Sequence, residues 1–259
     1  CGQFVLLLGL AAYVAIGSTR HPGRILALNA LLVVASVAIH PYLGAMVLAL
    51  YLATLVQALR QHRAPGLAAA NLAGVALALA ALAVAVGYVA ADGPTVHAGG
   101  FGHFSANLLS PFVSSLSAFA PQSWMRLDEA AAAAASWPFW KEAWPDATGG
   151  QGFEGFAYLG LGVLLLIALN LPHVLRNGRT LLARHWPLVG VLVAAMLFAL
   201  SNRIYLGQTL LVGYDLPPAL DRLAGVFRAS GRFLWPVAYA ALVGAVLLTV
   251  RRHRPARGI

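Results

Sequence analysis

Residues 25–59 read ILALNALLVVASVAIH-PYLGAMVLALYLATLVQAL, two apolar runs that meet at His40-Pro41 with almost no loop between them. Each run is close to the roughly 17–25 residues an α-helix needs to cross hydrocarbon. Proline has no amide hydrogen and restricts the residue before it, so His40-Pro41 marks a tight hairpin between two helices. The same pattern continues on both sides. Further apolar runs lie at 3–17, 67–91, 155–170, 187–200 and 234–250, which makes about seven spans. Three are short and are expected to recruit neighbouring residues at their ends. Hydrocarbon offers no water to backbone N–H and C=O groups, so each run is predicted to be helical. The expected fold class is all-α: a polytopic transmembrane helix bundle, with 1–259 as a single transmembrane region and two long outward loops, 92–153 and 201–233.

Composition supports this and excludes much else. The chain is 60% hydrophobic and 10% charged, too few polar side chains to clothe a water-soluble globule. Its net charge of +9 would ordinarily suggest nucleic acid. The excess sits instead in short inter-span gaps, where it sets topology and meets anionic headgroups, so no nucleic-acid partner is expected. Membrane lipids are the expected partners. Cys1 is the single cysteine, which rules out an internal disulfide or a CxxC metal site. With no starting Met and an apolar run beginning almost at once, the chain reads as the carboxy-terminal fragment of a longer protein.

The charges between the spans alternate in kind. Gaps 18–24, 60–66 and 171–186 and the tail hold eleven of the seventeen basic residues. All eight acidic residues fall in the remaining gaps: Asp92, Asp128, Glu129, Glu142, Asp146, Glu154, Asp215 and Asp221. Lys and Arg near span ends resist translocation, so the basic gaps and the carboxy terminus are predicted to be cytoplasmic. The expected location is the bacterial inner membrane, with 92–153 and 201–233 outside.

Loops this long are usually functional or carry their own structure. Within the first, 123–137 contains an alanine run, Ala130–Ala135, bounded by Pro138, and is expected to form an interfacial helix. Trp124, Trp137, Trp140, Trp144, Trp186 and Trp235 all lie in outward loops or at span ends, as an aromatic belt would place them. The fourth span is rich in Ala and Gly, which suggests a central helix with close neighbours. Its Asn71 reads as an interhelical hydrogen-bonding residue.

Three outward stretches could carry chemistry. Gln151-Gly152-Phe153-Glu154-Gly155-Phe156-Ala157-Tyr158 brings an acid and a tyrosine to a span mouth. Glu154 could ligate a divalent metal, act as a base or bond a sugar hydroxyl; the plainer reading is a carboxylate paired with a nearby arginine, since a charge at membrane depth needs a partner. Phe227-Arg228-Ala229-Ser230-Gly231-Arg232-Phe233 sets two arginines four apart. On a helix they would share a face and suit a phosphate; otherwise they are interfacial anchors or partners of Asp215 and Asp221. His40, His97 and His103 face outward, but no HExxH or tight His/Asp spacing links them, so no metal site is assigned. His40 reads more simply as a hairpin cap. No GxSxG elbow is present.

Taken together, His40-Pro41-Tyr42-Leu43, Phe104-Ser105-Ala106-Asn107-Leu108-Leu109, Glu154 to Gly160 and Phe227 to Phe233 resemble a family of multi-pass bacterial membrane proteins related to the glycosyltransferase C superfamily. The resemblance implies transfer of a sugar from a polyprenyl-phosphate-linked donor at the outer membrane face. It places Arg228 and Arg232 at the phosphate, with Glu154, Tyr158 and His40 lining the cavity. The superfamily's catalytic acid lies in a first outward loop, which is expected upstream of Cys1, so no base is carried over here. Two rivals stand beside it: a transporter or flippase, and a non-catalytic partner in envelope-polysaccharide assembly. Almost no intramembrane charge and no matched broken helices are seen, which weighs against coupled transport.

Overall fold

Proline sets where several of the helices begin. In the computed structural model, α2 (Pro22–Ile39), α3 (Pro41–His62) and α4 (Pro65–Ala85) each open on a proline. At a helix's first position the missing N–H would have had no intrahelical partner, and the fixed φ already suits a helix. The structure describes residues 2–87, 101–113, 147–155 and 157–253. The expected surface helix at 123–137 lies outside the described residues. Among the described residues, five helices are long and apolar enough to cross a membrane, and α1 (Phe4–Ile16) is a shorter apolar helix. The protein is a membrane protein built as an all-α bundle, with one small two-stranded sheet among the described residues.

The chain divides into two compact units, Cys1–Thr95 with Arg176–Ala194, and Val96–Leu175 with Ala195–Ile259. In the first unit α3 is the central helix. It buries Leu43, Met46, Val47, Leu50 and Tyr51, and packs against both α1 and α2. Gly44 lets α2 come close: a Cβ there would lie 2.8 Å from the Val37 Cα. The alanine-rich α4 was expected at the centre but is peripheral. It buries Ala68 and Val75 and exposes Leu72, Leu77 and Val84. Small side chains permit close packing in lipid without requiring it. Asn71 does bridge helices as expected, accepting from the Tyr51 hydroxyl at 2.7 Å.

Two expected spans, 155–170 and 187–200, are joined in one helical element, α6 (Leu161–Leu200), so the 171–186 gap is helix rather than loop. A straight helix of that length would run about 60 Å. Yet Leu159 N donates to Pro111 O and Ala106 N donates to Ala199 O, which ties both ends to one six-residue stretch. The element therefore turns back on itself, and its helical dihedrals break at His185. Pro187 explains the break: it cannot donate to Ala183 O, and its ring crowds that carbonyl. Arg60 supplies the missing donors. Its Nη2 donates to Ala183 O at 3.0 Å and its Nη1 to Arg184 O at 3.4 Å, while its guanidinium lies over the Trp186 ring.

In the second unit, the expected outward loop at 201–233 is folded. It holds β1 (Arg203–Leu206), β2 (Thr209–Gly213), helix α7 (Pro218–Gly225) and a 3-10 turn (Ser230–Leu234) that runs into α8 (Trp235–His253). The strands are antiparallel, with a register slip at Ile204/Tyr205. Ala106, Ala199, Leu200 and Leu234 form the core beneath them. Phe198 stacks edge-on against Phe227 and Phe233. Asn170 on α6 donates to Thr249 Oγ1 at 2.7 Å, and Arg252 donates to Leu169 O, which joins α6 to α8.

Candidate functional site

Helix α5 (Gln151–Glu154) is a single turn whose last residue presents its carboxylate to Arg232 in the 3-10 turn. Arg232 Nε lies 2.5 Å from Glu154 Oε2, and Nη2 lies 2.7 Å from Oε1, the two-pronged geometry that suits guanidinium and carboxylate. The side chains are 26% and 12% exposed, so water reaches the pair only partly. Two glycines make the approach possible. A Cβ on Gly231 would sit 2.6 Å from Gly155 Cα and 2.9 Å from Phe104 O. Gly231 N instead donates to Phe104 O at 2.9 Å, which closes the segments around Phe104, Glu154 and Gly231 into one knot.

Under that knot lies a fully buried polar cluster of Ser105, Asn107, Ser110 and Gln151. Asn107 is its hub. Its Nδ2 donates to Gly207 O and Gln151 Oε1, and its Oδ1 accepts from Gly207 N and Leu109 N. Gly207, at φ +60°, sits in the turn that joins β1 to β2, a position that favours glycine. Gln151 Nε2 donates to Ser105 Oγ, and its Oε1 accepts from Ala147 N. Buried amides are costly unless satisfied, and this cluster satisfies its members while pinning the hairpin beside the knot.

The predicted site residues do not form one cluster. Glu154 and Arg232 are brought together, as the plainer reading of Glu154 held. Arg228 lies in a bend outside any helix, so the expected shared helical face with Arg232 does not form. It is exposed, with its guanidinium 4.6 Å from the Phe104 ring centre. Tyr158 is half-buried in the irregular stretch before α6. His40 belongs to the other unit and caps α3, where its Nδ1 accepts from Tyr42 N at 3.2 Å. Both Glu154 oxygens accept from Arg232, and the pair holds the guanidinium in one orientation. Among the described residues, no three His, Cys, Asp or Glu side chains gather where a metal could be held.

The Asn107 cluster was not foreseen, because its partners lie 44 and 100 residues away and leave no local trace. Compared with known proteins, residues 1–259 match a family described as a domain of unknown function (DUF6311). No curated protein and no solved structure matches the chain.

Proposed function

We propose that this chain, which belongs to the DUF6311 family, forms part of a glycosyltransferase-like protein of the bacterial inner membrane that handles a polyprenyl-phosphate-linked sugar at the outer face. In this reading the second unit's folded segments face outward and the carboxy terminus is cytoplasmic. The observation that carries the reading is the knot around Phe104, where the exposed Arg228 lies against the Phe104 ring and Gly231, next to the Glu154-held Arg232, bonds the Phe104 carbonyl. Arg228 meets the donor phosphate, since a guanidinium recognises phosphate in bidentate fashion and the Phe104 face fixes its plane. Arg232, its charge met by Glu154, is held in place. Tyr158 and the start of α6 line the path of the lipid. No residue of the chain is assigned as the base.

The test is donor-lipid affinity of the full-length protein in nanodiscs. Losing a charge-assisted contact costs about 1.5–3 kcal/mol, so Arg228→Ala should weaken binding roughly tenfold to hundredfold. Arg228→Lys should recover only part of this, because an ammonium cannot form the fork. Affinity within twofold of wild type in folded Arg228→Ala protein would remove the assignment.

A further inference from the structure

A second concave surface lies in the same unit, apart from the Glu154–Arg232 pair. It is an open groove of about 370 Å³ lined by Phe101, His103, Thr148, Asn202, Arg203 and Tyr205. Strand residues two apart share a face, so Arg203 and Tyr205 line the groove together while Ile204 packs on the core. Gly102, at φ +91°, brings its turn close to Asn202: a Cβ there would lie 3.1 Å from Asn202 Oδ1. Asn202 Nδ2 donates to Tyr214 O at 2.9 Å, which fixes the amide beside the groove with Oδ1 able to accept. Thr148 Oγ1 donates to His103 O, fixing the facing wall.

This lining selects a ligand class. The volume is at the lower end of the roughly 300–1,000 Å³ of small-molecule sites, which suits one small ring rather than a lipid chain. Two aromatic rings offer flat apolar faces, and the polar groups between them bond hydroxyls. The described lining residues include the Arg203 guanidinium but no carboxylate, so the charge favours an anion. We propose that the groove binds a single carboxylated pyranose, a uronic-acid unit, with its carboxylate on Arg203 and its hydroxyls on Asn202 and Thr148. The inference rests on the sugar-handling reading above for its biological setting, and it names the sugar class.

The experiment titrates full-length protein in nanodiscs with glucuronate, glucose and inorganic phosphate, read by saturation-transfer NMR. Glucuronate should bind saturably and about tenfold more tightly than glucose, the effect of one solvent-accessible charge-assisted contact. Arg203→Ala should bring glucuronate down to the level of glucose, and Tyr205→Ala should weaken both sugars. Arg203→Gln, which keeps a hydrogen-bonding side chain, serves if Arg203→Ala fails to fold. Absence of saturable glucuronate binding, or binding unchanged in folded Arg203 variants, overturns the proposal. So does phosphate competing as well as glucuronate, which would mark a plain anion site. Arg228→Ala separates the two readings, because it should lower donor-lipid affinity and leave glucuronate binding intact. Failure of the lipid response alone strikes the donor assignment; failure of the glucuronate response alone strikes this one.

Discussion

Replacing Glu154 by Gln removes a charge but almost no volume, and it tests what the pair contributes. Two charge-assisted hydrogen bonds hold Arg232, at 2.5 and 2.7 Å. A fully buried pair loses about 3–5 kcal/mol when one partner is removed, and an exposed pair is worth about 0.2–1 kcal/mol. Side chains that are 26% and 12% exposed fall between these limits, so the coupling should be about 1–3 kcal/mol. The assay is a double-mutant cycle of Glu154→Gln, Arg232→Gln and both together, read as unfolding free energy of the full-length protein in detergent. The double variant should recover part of each single loss, because neither is then left with a half-buried unpaired charge. Coupling below about 0.5 kcal/mol would refute the reasoning and place the pair among weak surface bridges. The same variants also divide the two arginines. If Arg232 held the donor phosphate, Arg232→Gln should lower donor affinity as far as Arg228→Ala does; with Arg228 as the ligand, it should lower it much less.

Gly231→Ala should unfold the knot and lower the unfolding midpoint, since its Cβ would meet the Gly155 backbone; an unchanged midpoint would show that the backbones need not approach so closely. Asn107→Ala should destabilise the protein by about 3–5 kcal/mol, because it orphans Gly207 N, Gly207 O and Leu109 N, and hydrogen exchange at Gly207 should rise; unchanged exchange would count against the clamp. Orientation is checked in a Cys1→Ser background with a membrane-impermeant thiol reagent on intact cells. Gln208→Cys should label and Gly258→Cys should not; the reverse would invert the topology.

How much of this could be read beforehand follows from the range of each force. Spans were legible because backbone satisfaction in hydrocarbon is local: the run that needs helix also contains it. His40-Pro41 was legible for the same reason, since a proline acts on its own peptide bond and its neighbour. The 171–186 stretch misled because its charges suggested a loop. Arginines are good helix formers, however, and the turn-back needed only Pro187, with Arg60 from a distant helix answering the freed carbonyls. The four-residue spacing of Arg228 and Arg232 misled in the opposite direction. It presumed a helix where the chain bends instead, so that Gly231 can press against Gly155.

The pair itself left a fainter mark. Glu154 and Arg232 are 78 residues apart, and no periodicity links them. Each nevertheless adjoins a glycine, Glu154-Gly155 and Gly231-Arg232, and in the fold those glycines touch backbone to backbone. A long charged side chain reaches a partner by its own flexibility, but a two-pronged contact held half-buried also needs the two main chains fixed at one separation. Glycine allows the shortest separation: a Cβ at Gly231 would press on the Gly155 and Glu154 backbone and force the charges apart, and one at Gly155 would meet Ser105 O. The paired glycines are therefore part of the electrostatics. They make the pair's geometry a backbone property, which is why Gly231→Ala and Glu154→Gln should disturb the same site by different routes: the first by moving the partners apart, the second by leaving them in place without the charge.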